Sequence, residues 1–144
     1  MSAERFSLDT NLLVCAIDRD AGGRHLRAAE IVDQAIDHDC LLAQQVLAEF
    51  FHTVTRKGKM PLDAAVAQIE DWQQLFTVVT PRADTLNHAV TAVTDHGLSF
   101  WDAMLWATLR PAGVTVLLSE DFQNGRSLGG VRFLNPLTSD ENLW

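Results

Sequence analysis

A chain of 144 residues, 47% apolar and 21% charged with no low-complexity tract, has the composition of one folded domain (residues 1–144) with a complete core, which excludes a disordered segment. The formal net charge of −8 argues against a protein that holds nucleic acid by bulk charge, and is compatible with clustered carboxylates or a basic partner. No apolar run approaches the roughly 20 residues of a membrane span, no basic-then-apolar leader opens the chain, and Cys15 and Cys40 lie in apolar segments without a C-x-x-C, so a cytoplasmic protein with buried thiols and no membrane association is expected.

In chain order, Phe6-Ser7-Leu8 reads as a strand that delivers Asp9 to its carboxyl end, with a short helix over Asn11 to Ile17 opening just behind. Charges and paired glycines make Asp18 to Gly23 a loop. His25 to Asp37 has Leu26, Ala29, Ile31, Val32 and Ala35 near helical spacing, and Cys40 to Ala43 is a second strand. Gln44 to Arg56 is a helix with Val46, Leu47, Phe50, Phe51 and Val54 as a broad apolar stripe and Glu49 at its edge. Arg56, Lys57 and Lys59 suit its negative dipole end, and Gly58 stops it.

Pro61 opens the next helix, whose stripe is Leu62, Ala65, Ile69 and Trp72. A third strand is expected over Leu75 to Val79, then a helix over Ala83 to Asp95 with Leu86, Ala89, Val90 and Val93 inward, and another over Ser99 to Leu109. The β-branched run Val114 to Leu118 fits a buried parallel strand, with Ser119-Glu120-Asp121 at its carboxyl end. Turns at Asn124-Gly125 and Gly129-Gly130 flank a last strand, Val131 to Leu134. The apolar surplus at Phe50, Phe51 and Trp72 hints at a self-association surface.

Strands alternating with helices predict an α/β fold with a mostly parallel sheet, whose sites form outside the carboxyl strand ends. Four acids lie beside apolar runs. Asp9 has an ordinary reading as a helix cap, Asp102 as the last residue of an S-x-x-D capping box, Glu49 as a helix-surface acid, Asp121 as a turn residue, with Glu120 facing solvent. Asp102 leans away from its cap because it shares a face with Leu105, Trp106 and Leu109. Gathered in one cleft, the four would repel one another without a cation, and their hard oxygens suit Mg²⁺ or Mn²⁺ over zinc. His25, His38, His52, His88 and His96 are scattered and form no H-E-x-x-H.

With Leu8-Asp9-Thr10-Asn11, Leu47-Ala48-Glu49-Phe50, Phe100-Trp101-Asp102-Ala103 and Leu118-Ser119-Glu120-Asp121-Phe122 in order, the chain resembles the PIN-domain ribonucleases, most closely the VapC-type toxins of toxin–antitoxin pairs. The resemblance implies a three-layer α/β/α sandwich around a mostly parallel sheet of four or five strands. It also implies a Mg²⁺- or Mn²⁺-dependent acidic site, RNA cleavage, inhibition by a cognate antitoxin and a homodimer. Catalysis and metal binding then fall to Asp9, Glu49, Asp102 and Asp121. Asp9 and Asp102 come first as direct ligands, then Asp121, with Glu49 ligating through water or acting as a base. Thr10, Asn11 and Ser119 are candidates to orient them.

The products expected of metal-activated water carry a 5′-phosphate and a 3′-hydroxyl. RNA-holding cations would come from Arg56, Lys57 and Lys59, or from Arg19, Arg24 and Arg27. A receiver domain or a dehalogenase-type phosphatase is disfavoured: there is no lysine after Lys59 and Asn11 stands where D-x-D needs a second acid. A catalytically silent interaction module, a PIN nuclease outside a toxin–antitoxin pair and a DNA-directed nuclease stay open.

Overall fold

The computed structural model describes residues 3–138 and 142–144. Six strands, β1 (Phe6–Leu8), β2 (Cys40–Ala43), β3 (Thr77–Val79), β4 (Val116–Leu118), β5 (Ser127–Leu128) and β6 (Val131–Leu134), form one sheet in the order β3-β2-β1-β4-β6-β5. All pairs are parallel except β5 with β6. The strand beyond the expected four or five is β5, two residues long. It folds back on β6 through Gly129 and Gly130, whose φ angles of 55° and 84° only glycine adopts readily.

Every residue of β1, β2 and β4 is buried, so the centre of the sheet is covered on both faces. Six helices do this: α1 (Thr10–Ile17), α2 (Gly23–Ala35), α3 (Gln44–Arg56), α4 (Leu62–Leu75), α5 (Thr85–His96) and α6 (Phe100–Leu109). They pack as two groups, α1 on α2 and α3 with α3 on α4, and separately α5 on α6. Crossovers between parallel strands are right-handed. Stepping outward from β1 to β2 to β3 therefore places α1–α4 on one face, and the return step from β3 to β4 places α5 and α6 on the other. The direction of winding reverses between β1 and β4.

Several apolar assignments change. Leu75 closes α4, because the Phe76 N–H still donates to the Trp72 carbonyl at 2.9 Å, and the strand starts only at Thr77. Leu26, Leu62, Leu86 and Val90 face outward, at 72, 64, 52 and 48% exposure. On α2 and α5 the buried positions include Ala28, Ala35, Ala89 and Ala92, since closely approaching helices leave room for small side chains at the contact. Phe50 and Trp72 offer no association surface: they bury against each other edge to face, 4.7 Å apart between α3 and α4.

Past β4, Phe122 stacks on Phe133 of β6 with ring centroids 4.3 Å apart, which pins the turn carrying Asp121 to the sheet. Phe133 is fully buried. Phe133→Ala is expected to cost about 3–5 kcal/mol of folding stability, read as a lower urea midpoint with little change in slope. A loss under about 1 kcal/mol would mean the ring does not carry this packing.

Candidate active site

The reversal of winding opens a crevice at the carboxyl ends of β1 and β4, where ligands of open α/β sheets bind. Asp9 follows β1 directly, in extended conformation at the N-cap of α1. Its N–H donates to the Leu118 carbonyl at 3.0 Å, joining the two strand ends. Its carboxylate accepts the Thr10 N–H at 2.7 Å on Oδ1 and the Ser119 hydroxyl at 2.6 Å on Oδ2. Ser119 Oγ in turn accepts the Asp121 N–H at 3.0 Å, and the Asn11 amide donates to Asp121 Oδ2 at 2.6 Å. Asp9 is thus both the cap that its position allows and the floor of the crevice.

Asp102 reaches this end of the sheet through a helical hairpin, not through a βα loop. β4 must start at the amino edge of the sheet, so the helix feeding it starts at the carboxyl edge. Gly97, at φ 71°, ends α5 in the left-handed conformation and lets α6 turn back. The start of α6 is tied to α3: the Gln45 amide donates to the Trp101 carbonyl at 3.0 Å and to Glu49 Oε1 at 2.7 Å. Ser99 makes no side-chain cap bond, so the S-x-x-D pattern does not form its box. Gln45 escaped the sequence reading, although its i,i+4 spacing from Glu49 is a usable signal.

The four acids are graded in depth. Asp9 is buried, Asp102 half-buried, and Glu49 and Asp121 exposed. Burial pushes the Asp9 carboxyl up to about 6 against its bonds from Ser119 and Thr10, and the charges of Asp121 and Asp102 add to the rise. The Asp121 carboxyl is also raised, by burial and then by Asp102 and Glu120, with a smaller contribution from Glu49 and an opposing one from its Asn11 bond. The acids lie in one another's field. Among the described residues, however, no three His, Cys, Asp or Glu side chains stand together closely enough to enclose an ion as oriented.

A divalent cation nevertheless suits this donor set. The side chains are hard oxygen ligands, the innermost carboxylate is disfavoured in its charged form by burial and further by the acids Asp121 and Asp102, and the buried Thr10 hydroxyl beside it has no hydrogen-bond partner.

Of the candidate cations, Lys59 is engaged by Asp18 at 3.2 Å and Asp20 at 3.8 Å, and Arg27 by Pro136 and Glu30. Arg24 pairs with Glu120, the neighbour of Asp121. Glu120 is therefore not the free solvent-facing acid its sequence position implies: its side chain is only 20% exposed.

The PIN domain family model matches residues 7–123. No curated protein sequence matches the chain. Solved structures share the fold at low identity. VapC20 of Mycobacterium tuberculosis, described as a sarcin–ricin-loop-cleaving toxin, is 21% identical with a TM-score of 0.64 over 81% of this chain and 91% of that one. A DNA-bound VapBC of Salmonella typhimurium is 15% identical, with a TM-score of 0.65 over 91% and 97%. A toxin–antitoxin complex from Klebsiella pneumoniae is 16% identical, at 0.63 over 90% and 96%.

The raised Asp9 carboxyl makes stability depend on pH in a definite sense. Folded protein holds this proton up to about pH 6, whereas an unfolded carboxyl releases it near 3.8. Stability is therefore lost as pH climbs from 3.8 through 6, by about 3 kcal/mol from this group. In chelator, Asp9→Asn should be more stable than wild type at pH 8 and lose that advantage toward pH 4. Parallel melting curves against pH would contradict this assignment.

Proposed function

We propose, for a chain that belongs to the PIN domain family, a divalent-metal-dependent endoribonuclease that serves as the toxin of a toxin–antitoxin pair. The observation that carries the reading is the buried Asp9, bridged through Ser119 to Asp121 at the winding reversal, with Asp102 and Glu49 in the same field. Carboxylates collected in this way need a cation, and a phosphodiester brings further negative charge that also requires one.

Asp9, Asp102 and Asp121 are the proposed direct ligands of Mg²⁺ or Mn²⁺, and Glu49 ligates through water or acts as a base. When bound, the ion supplies an acidified water and neutralises charge on the phosphate. The chain does the rest. Ser119 and Thr10 each orient one oxygen of Asp9 through one of its lone pairs, and Asn11 fixes one oxygen of Asp121, leaving the other to face the reaction. Glu49, held by Gln45, receives the proton from the attacking water. The water oxygen bonds to phosphorus, the bond from phosphorus to O3′ breaks, and O3′ takes up a proton from solvent water. A 5′-phosphate and a 3′-hydroxyl remain.

RNA as substrate has its support in the family and in the RNA-cleaving description of the M. tuberculosis toxin. An antitoxin partner is proposed because the similar structures include toxin–antitoxin complexes and because a basic partner segment complements a chain of net charge −8, and a homodimer is proposed on the family resemblance alone. No helix among the described residues is long and apolar enough to cross a membrane.

Purified protein should cut a mixed structured-RNA pool with Mg²⁺ or Mn²⁺ and not in EDTA. Asp9→Ala and Asp102→Ala should fall to background while melting cooperatively, and full activity of either variant would remove it from the site. Mg²⁺ should raise the melting temperature of wild type at pH 8 and leave Asp9→Ala unmoved; no shift in wild type favours a silent interaction module. Arg24 uses one N–H on Glu120 and keeps other donors for a phosphate. Arg24→Ala should weaken binding of all RNAs alike and lower the log–log salt slope by about 0.7. An unchanged slope would place Arg24 off the RNA path.

A further inference from the structure

α6 opens with two aromatic residues that the core does not use. Its buried side chains are Ala103, Leu105, Trp106, Ala107, Thr108 and Leu109, whereas Phe100 is 39% and Trp101 63% exposed. An indole left mostly in water beside Asp102 gains little for folding. Phe100 meets it edge to face, 4.9 Å between centroids, and the Gln45 amide holds its backbone carbonyl, so its position is fixed. Between Trp101 and α3 lies an open groove of about 390 Å³ lined by Gln45, Ala48, Glu49, His52 and Trp101. Trp101 brings an aromatic ring to the lining, Ala48 a small side chain, and Gln45, Glu49 and His52 polar groups. Glu49 belongs both to this groove and to the acid set.

We propose that this groove is a nucleobase subsite, in which an unpaired base of single-stranded RNA stacks on Trp101 while Gln45 and His52 meet its polar edge. The inference rests on the ribonuclease reading above and names how that site takes hold of its substrate. A base is neutral, planar and rimmed with donors and acceptors, so it fits a groove with an aromatic wall and an acidic end where a phosphate is repelled. A second copy of this chain is the poorer occupant, since it brings another net −8 toward Glu49. The strand's phosphate then lies toward the metal ligands and Arg24, and its base toward α3. Cleavage accordingly requires unstacked RNA.

The test uses a single-stranded RNA of about 12 nucleotides, and a set of the same RNA with one abasic position moved along it. Affinity is read by stopped-flow anisotropy of a fluorophore on the end of the RNA, in Mg²⁺ before cleavage, and KM and kcat are read on an RNA that wild type cuts. Trp101→Ala should bind the intact RNA roughly 5- to 100-fold more weakly, the loss expected of one stacked base, and Trp101→Phe should recover most of it. One abasic position should bind wild type and Trp101→Ala alike. The loss should appear in KM far more than in kcat.

Equal affinity of wild type and Trp101→Ala, in a protein that cuts RNA, overturns the subsite and leaves the nuclease standing. So does a Trp101→Ala protein that changes from dimer to monomer in sedimentation while keeping its RNA affinity, because the indole then belongs to a contact between copies. A wild type that neither binds nor cuts any RNA overturns both readings together.

Discussion

The structure turns on one carboxylate that is buried where its charge is unwelcome. Asp9 sits at 5% exposure, joined by its backbone to the end of β4 and by its side chain to Ser119 and Thr10. Two hydrogen bonds do not offset the desolvation, as its upward shift to about 6 shows. A fold selected for stability alone would place a neutral residue there. Retaining the acid is a cost of the kind that functional sites impose.

The same constraint explains the order of the elements. β1 lies in the middle of the sheet with its neighbours wound in opposite directions, so the connections that leave the ends of β1 and β4 diverge and open a crevice. Residues from either side of the reversal then meet: Asp9 and Asn11 from the first crossover, Ser119 and Asp121 from the turn that follows β4. The α5–α6 hairpin adds Asp102 from the opposite helical layer, and α3 adds Glu49 with Gln45 as the link to α6.

Much of the fold was legible in the residues. The boundaries of β1, β2, α3 and β6 follow from apolar runs and their punctuation, because burial on both faces or on one stripe leaves a direct periodic mark. Facing was less legible. Leu86 and Val90 have the spacing of a buried stripe, yet the contact with α6 is made where Ala89 and Ala92 allow the helices to approach. Hydrophobicity marks what can be buried, and only the distance between helices selects which side chains are.

Of the candidate site, the sequence marked the four acids as candidates, with Asn11 and Ser119 as polar neighbours, because each acid interrupts or borders an apolar run. It could not place Asp102, since the direction of α6 depends on a hairpin whose outcome is fixed by where β4 must begin. Nor could it pair Arg24 with Glu120 or set Gln45 against Trp101, contacts spanning 96 and 56 residues. Spacing along the chain encodes neighbours within a helix or strand. Contacts between layers are decided by the handedness of crossovers and by packing, and these exist only once the whole chain has folded.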